Sequence, residues 1–488
     1  MYEIISGSTH GLRDTEDFIV TLDADVDRLP DRWSRLFDPH REIIVTRAPG
    51  RIDLMGGIGD YSGSLVLPLP IADATHVAFQ KTPGRSIRVA SLPSARGEAP
   101  RLFEIALEEL LVDGSAVNYD AVRKFFAAST DEHWAAYVVG ALLVLLGEGY
   151  LTAGEGANIL VRSTVPEGKG VSSSAALEAA VMQALLTAYQ IEIPAPEAAL
   201  LCQKVENLIA GAPCGVMDQM AACCGQANHL VELLCQPADL KGLVALPSPL
   251  AVWGIDSGVR HAITGASYGT VRAAAFMGYR IIAGSAGLKI RPGPAPAHVE
   301  IEDPRWNGYL ANVAPEEFEA NFAASIPERM VGREFLDRYQ GISDPFTSID
   351  PDVDYPVRRA TEHPIYENRR VSEFAATLKN WQGLAQAKRL GELMRQSHQS
   401  YSECGLGADA TDRLVALAAT QADAGIFGAK ISGGGNGGTV AILGSRDAGP
   451  AVEAIAKNFR AESGHLAPII SGSSSGAEAF GAVRLMRA

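Results

Sequence analysis

PEGKGVSSSAALEAA, residues 166–180, follows the strand-like run ANILVRST (157–164) and opens a helical pattern that continues to Tyr189. Strand, glycine-containing loop and helix in that order gather free backbone N–H groups at one point. Gly168 and Gly170 let the main chain approach an anion closely, and Ser172, Ser173 and Ser174 stand where the helix begins. The positive end of the helix dipole favours the same occupant, so the stretch predicts a phosphate site. It is not a Walker A loop, because the closing Gly-Lys-Ser/Thr is absent. Taken alone it reads equally well as a serine-rich helix cap.

Two other loops carry comparable signals. KISGGGNGGTVAIL (430–443) places glycine at every position from 433 to 438 except Asn436, between strand-like runs. A tight turn needs one or two glycines, and a backbone lying against a ligand accounts for the rest, which marks Gly433, Gly434 and Gly435. RAPGRIDLMGGIGDYSGSLVLP (47–68) brackets a glycine-rich turn with a cation, Arg51, and a carboxylate, Asp60. By itself that pair also fits a turn with a surface ion pair.

Around these loops the pattern alternates between β-rich and helix-rich segments. Residues 1–40 predict a charged, helical lead-in. From Glu42 the runs EIIVTRAP, LVLPLPI, ATHVAFQK and SIRVAS predict strands. Two helices are expected within 119–150, the second apolar on nearly every face, and others at 174–189, 195–210 and 215–224. NHLVELL and AVWGIDS predict strands before a helix near 266–284. Residues 286–370, rich in proline and aromatics with no sustained period, predict an inserted or elaborated surface region. Helices are expected at 371–404 and 408–424, then a strand-loop-strand, one more helix and terminal strands. The class is α+β, with two lobes meeting near 245–260.

Composition narrows the function. The 488 residues are 47% hydrophobic and 20% charged, an ordinary globular profile. With 42 basic against 57 acidic residues the net charge is −15, which argues against a nucleic-acid partner. The N-terminus lacks the apolar core of a signal peptide, and no apolar run reaches the ~18 residues that span a bilayer. A cytoplasmic protein without membrane or nucleic-acid partners is expected. The six cysteines form no CxxC pair and are read as buried free thiols.

In this order the three loops resemble the three signature motifs of the GHMP small-molecule kinases, and GRIDLMGGIGDYSGSLVLP resembles the galactokinase signature in particular. The resemblance continues through VENLIAGAPCGVMDQMAACCG (205–225), DSGVRH (256–261), SYGTVR (267–272) and SHQSYSECGLGADATDRLVALA (397–418). Within the galactokinase/L-arabinokinase branch, the likeness is to the kinase part of L-arabinokinases. Some of those carry a glycosyltransferase-like half ahead of the kinase, and this chain is expected to lack it.

The resemblance implies a two-lobed fold. A mixed-sheet N-terminal lobe (41–250) follows the lead-in 1–40, and a helix-on-sheet C-terminal lobe (251–488) includes the elaborated 286–370, with the active site between them. It implies in-line transfer of the ATP γ-phosphoryl group to the anomeric hydroxyl of a pyranose, a reaction that asks mainly for positioning and charge neutralisation. Asp218 matches the catalytic aspartate and Arg51 the arginine that supports it. Glu206 and Ser174 match the ligands of Mg²⁺. Gly168, Gly170, Ser172 and Ser173 match phosphate-lining positions, and Asp60, Gly215 and Tyr268 match sugar contacts. The motifs leave the adenine pocket unassigned.

One departure bears on the substrate. Galactokinases usually read Gly-Glu-His-Thr-Asp-Tyr in the first motif, and this chain reads Gly56-Gly57-Ile58-Gly59-Asp60-Tyr61. The missing Glu and His meet the C6 hydroxymethyl end of galactose, which L-arabinopyranose lacks on the same ring arrangement. Gly57 and Ile58 therefore predict L-arabinose over D-galactose, with residual galactose activity. A galactokinase and a non-catalytic sugar and ATP sensor are the competing readings.

Overall fold

Strand Ile43–Met55 is buried along all thirteen residues, so it must be covered on both faces. The computed structural model describes residues 2–93, 98–112, 116–152, 155–259 and 266–488, and shows this strand inside a mixed sheet of nine strands. Arg260 and His261, from the DSGVRH stretch, lie outside the described residues. The sheet runs Tyr2–Ser6, Val483–Arg487, Ile43–Met55, Leu65–Thr82, Gly156–Ser163, Ser86–Leu92, Arg101–Ala106, and His229–Leu234 with Asp239–Ala245 attaches at the start of Leu65–Thr82. Gly156–Ser163 pairs in parallel with Ser86–Leu92 and antiparallel with Leu65–Thr82.

Successive residues of the central strands feed opposite cores, as a period of two requires. Ile44, Val77, Phe79 and Val89 pack with helices Ala136–Gly147, Ser173–Tyr189 and Ala195–Lys204. Ile43, Val45, Ala78 and Leu160 pack with Phe18 and Leu22 of helix Arg13–Asp27 and with Trp33. The lead-in is thus one wall of the first lobe. Its strand Tyr2–Ser6 pairs with the last strand, Val483–Arg487, a partner too distant for any local pattern to reveal.

The runs expected as two strands, LVLPLPI and ATHVAFQK, form one, Leu65–Thr82. Its Pro68 and Pro70 pair with Asp53 and Arg51, where the register slips between Pro49 and Arg51 and again between Asp53 and Met55. Proline has no N–H to give a ladder, and irregular positions are where a strand tolerates it.

The second sheet orders Ile426–Ile431, Thr439–Ser445, Leu250–Asp256 and Ile469–Ser471, all antiparallel. Helices Asp409–Ala419 and Gly449–Ser463 cover it through Leu414, Val452, Ile455 and Phe459. Leu390, Leu393 and Met394 of Ala385–Glu403 meet Ile52, Leu67 and Leu69 of the first sheet, so that core is shared between lobes. The architecture is the expected α+β one, a mixed-sheet lobe beside a helix-on-sheet lobe.

Residues 286–370 differ from the expected surface elaboration. Trp306, Phe318, Phe335, Tyr355 and Val357 form a buried core with helix Ala266–Ser285. The helix expected from 371 begins earlier, as Val357–Lys379, and runs through Pro364, while a break at 380–384 separates it from Ala385–Glu403. An interior proline costs a helix about 3 kcal/mol. Burial of Ala360, Ile365, Val371 and Phe374 along the same helix outweighs that penalty.

The lobes are joined by a buried ion pair. Lys430 Nζ of the second sheet lies 2.8 Å from Asp53 Oδ2 of the first, and both side chains are wholly buried. Replacing Lys430 by Met leaves Asp53 buried without its cation, and the expected loss is about 3–5 kcal/mol of unfolding free energy. Urea unfolding should show a lowered midpoint at unchanged slope; a loss below about 1 kcal/mol would remove the pair from this role.

Candidate active site

The three glycine-rich loops converge on one cleft of about 650 Å³ between the lobes. On its first wall, Gly168 and Gly170 take φ of 69° and 70°, and Ser172 takes φ of 62°, ahead of helix Ser173–Tyr189. A serine in this left-handed region is strained, as residues at functional sites often are. Its hydroxyl is buried with no hydrogen-bond partner. An unbonded hydroxyl beside a helix N-terminus suits an oxygen-rich anion.

Arg51, on the long strand, crosses the cleft floor. Its Nε and Nη2 lie 2.9 and 2.7 Å from Asp218 Oδ1, and Nη1 donates to the Gly170 carbonyl at 2.6 Å. One buried guanidinium thus couples the carboxylate at the start of helix Met217–Cys224 to the loop of Gly168 and Gly170.

Glu206 sits on a wider π-helical turn, Val205–Ala210, a local form that recurs at functional sites. Oε1 accepts from Ser174 Oγ at 3.0 Å, and Oε2 accepts from Gln219 Nε2 at 2.7 Å. Gln219 Nε2 also reaches Oε2 of the fully buried Glu178, at 3.2 Å. Burial, then the charge of Asp218, pushes the Glu206 carboxyl up to about 7 against the bonds from Ser174, Cys214 and Gln219. Burial followed by the Glu206 charge raises Glu178 well above its ordinary value. Among the described residues no lysine, arginine or histidine bonds Glu206. A carboxylate facing a hydroxyl, beside a glycine loop and short of positive charge, has the oxygen donors that a small hard cation such as Mg²⁺ takes, and Glu206 and Ser174 are the residues that would hold it.

Asp60 lies on the single tight turn Gly57–Ser62. Burial and then Asp218 raise its carboxyl to about 7, opposed by Arg272 and by the Tyr61 N–H at 2.6 Å. Gly215 is small for a spatial reason: a Cβ there would stand 1.8 Å from Asp60 Oδ2. Tyr268, near the start of helix Ala266–Ser285, joins the lining and meets Tyr61 edge to face at 6.0 Å.

Gly57, Ile58, Gly433 and Gly434 complete the lining. Gly435 stands off this wall, where a Cβ would come within 2.7 Å of Leu406 Cβ. Cys214 and Met217 line the cleft as well, though the sequence reading left them out.

A second cavity, of about 810 Å³, opens beyond Gly168, Ser173 and Ser174. Trp134, Tyr137 and Leu177 form its apolar lining, with Ser163 and with Arg101, whose guanidinium lies 5.3 Å from the Trp134 ring. Sequence reading missed it because HWAAY opens a uniformly apolar helix and reads as core. The available signal was two aromatics three residues apart in a run of small residues.

The matches to known families follow these loops. Residues 136–226 match the GHMP kinases N terminal domain, residues 32–81 the galactokinase galactose-binding signature, and residues 382–461 the GHMP kinases C terminal region. An L-arabinokinase of Arabidopsis thaliana is 40% identical, over 100% of this chain and 52% of that protein. The chain therefore spans about half the length of that relative. A galactokinase of Chloroflexus aggregans is 30% identical over 82% of this chain and 83% of its own. The solved galactokinase of Lactococcus lactis, complexed with galactose, superposes with a TM-score of 0.70 at 22% identity, over 93% of this chain and 99% of that one.

The raised carboxyl of Glu206 has a measurable consequence. Folded at about 7 against an ordinary 4.5, it holds a proton that the unfolded chain has already released. Its contribution is therefore complete below about pH 4.5 and lost as pH rises through about 7. Two buried histidines, His76 and His363, lowered to about 3 and 4 chiefly by burial, act in the opposite sense and cancel when variants are compared. Glu206→Gln should therefore gain about 2–3 kcal/mol on the parent between pH 5 and pH 8 in EDTA. Magnesium with a nucleotide should shrink that gain by stabilising the parent more than the variant. A difference flat across pH would mean an unperturbed carboxyl.

Proposed function

The chain belongs to the GHMP kinase family, phosphotransferases with an alcohol group as acceptor, in its galactokinase and L-arabinokinase branch, and we propose on that premise that it transfers the γ-phosphoryl group of ATP to the anomeric hydroxyl of L-arabinose. The observation that carries the choice of sugar is the cleft wall at Gly57 and Ile58, which offers no polar side-chain atom. Galactokinases usually have Glu and His there, toward the C6 hydroxymethyl group that L-arabinose lacks. A pocket with those two groups would leave them unpaired around arabinose, whereas this wall has nothing to leave unpaired. Asp60, with Gly215 making room for it, supports recognition of the ring hydroxyls that the two sugars share.

The remaining residues divide the work of a reaction governed by positioning and charge. The phosphates lie on the loop of Gly168, Gly170, Ser172 and Ser173, where backbone N–H groups and the unbonded Ser172 hydroxyl meet them. The adenine ring takes the adjoining cavity against Trp134 and Tyr137. Mg²⁺ held by Ser174 and Glu206 would neutralise phosphate charge when bound. Asp218 orients the anomeric hydroxyl and accepts its proton late in the transfer. Arg51 compensates the charge of that carboxylate and faces the transferring group. Gly433 and Gly434 close the opposite side through their backbone. The reaction is expected in the cytoplasm, with sugar and ATP as its small-molecule partners.

The decisive measurement is kcat/KM for L-arabinose and D-galactose side by side, with ATP, Mg²⁺ and a coupled ADP readout. A preference for arabinose of roughly 10–200-fold is expected, since filling or emptying the space of one small group discriminates by about that much. A preference for galactose would keep the kinase and discard the argument from Gly57 and Ile58. Turnover of neither sugar would point to a different acceptor or to a sensor. Asp218→Ala should lower kcat by about 10²–10⁴-fold while nucleotide affinity stays nearly constant; unchanged turnover would remove Asp218 from the mechanism.

A further inference from the structure

Gly57 is a cleft residue whose side-chain space is taken by a hydroxyl group from another element, as that of Gly215 is by the Asp60 carboxylate. A Cβ on Gly57 would stand 1.4 Å from the hydroxyl oxygen of Tyr401 and 2.7 Å from its Cζ. Tyr401 comes from helix Ala385–Glu403, is wholly buried, and does not itself reach the cleft surface. Its hydroxyl accepts the Ile58 N–H at 2.9 Å and donates to the Gly433 carbonyl at 3.1 Å. The phenol is held in place from behind, its ring 5.1 Å from Lys430 Nζ and edge to face with His363 at 5.1 Å. Burial and then the charges of Asp53 and Glu367 keep the hydroxyl protonated, so it remains a donor.

We propose that Tyr401 is the positioning residue for sugar choice: its hydroxyl occupies the side-chain space of residue 57 and ties the Ile58 main chain to the third glycine loop. This rests on the reading of Gly57 and Ile58 as the wall that faces C5 of the sugar. Two consequences follow from the geometry. The wall cannot regain a polar side chain at 57 while Tyr401 keeps its place, because no rotamer of residue 57 moves its Cβ. Ile58, in turn, is presented to the sugar at a depth set by its hydrogen bond to Tyr401, and losing that bond lets the apolar wall recede. A tyrosine present only to fill the core would give neither effect, since its hydroxyl would not need a partner on each loop.

The test is a variant cycle read with both sugars and with ATP. Tyr401→Phe keeps the ring and removes the hydroxyl. It should raise KM for L-arabinose by about tenfold with KM for ATP unchanged within about twofold, and lower the arabinose-to-galactose ratio in kcat/KM by about fivefold. Gly57→Glu alone should lose turnover of both sugars. Gly57→Glu with Tyr401→Leu should regain part of that turnover, since a Cβ at 57 still stands 2.8 Å from Asp53 Oδ2 with φ at 43°, and should move the ratio toward galactose relative to the parent. An unchanged ratio in Tyr401→Phe, equal rises in both KM values, or an active Gly57→Glu with Tyr401 in place would each overturn the proposal. Should Gly57→Glu fail to fold, Tyr401→Phe decides by itself. The parent ratio separates the two readings: a parent that prefers galactose sinks the L-arabinose reading, whereas an arabinose preference that survives intact in Tyr401→Phe sinks only the role of Tyr401.

Discussion

The pair Asp53–Lys430 is the interaction on which the two lobes and the cleft between them depend. Two charges wholly removed from water are tolerated only when geometry is good and their remaining hydrogen-bonding capacity is used. Here it is used by the loops themselves. Asp53 Oδ1 accepts the Gly57 N–H, the Asp53 N–H donates to Ser432 Oγ, and Lys430 Nζ donates to the Ile431 carbonyl. Residues on either side of the first and third glycine loops are thereby fixed to one buried point. Glycine runs have the most conformational freedom to lose on ordering, and an anchor of this kind holds two such runs face to face.

Around that anchor, charge is distributed unevenly by design of the packing. Asp60, Glu206 and Asp218 gather at the cleft, with Glu178 buried beside Glu206 and Arg51 as the guanidinium bonded to Asp218. Burial, then the charge of Asp218, pushes up the carboxyls of Asp60 and Glu206, as burial and then Glu206 push up that of Glu178. Behind the first loop, Glu367 is just as buried, yet Arg370, His363 and Lys430 overcome burial and hold it down at about 2. The same side chain is therefore a fixed anion in the scaffold, where it accepts from Ser397 and the Gly56 N–H, and an underpaired acid in the cleft. The scaffold has its counter-charges built in; the cleft leaves room for a ligand to bring them.

Local reading reached the elements whose causes are local. The helix after Ser172, the apolar helix within 136–147 and the strand-loop-strand around 433–438 were all legible, because periodicity and glycine placement act over a few residues. It failed where a distant partner decides. Leu65–Thr82 stays one strand through Pro68 and Pro70 because the facing strand slips register there. Val357–Lys379 passes Pro364 because its buried face outweighs the lost bond. Residues 286–370 carry a core with no visible period, since that core is shared among short elements and one long helix.

The site divides along the same line. By itself the sequence determined which chemistry-bearing residues exist, and the resemblance of its loops to those of the GHMP kinases singled out Arg51, Ser174, Glu206 and Asp218, because motif residues are tied to local turns and helix starts. Only the tertiary structure decided that Gly434 faces the cleft while Gly435 turns to Leu406, that Trp134 and Tyr137 line a second cavity, and that Gly57 is small because a tyrosine hydroxyl stands in its side-chain space. Those are facts of excluded volume between segments up to 344 positions apart, as Tyr401 is from Gly57. No local pattern encodes them, since two atoms that compete for one space carry no mark of each other until the chain has folded.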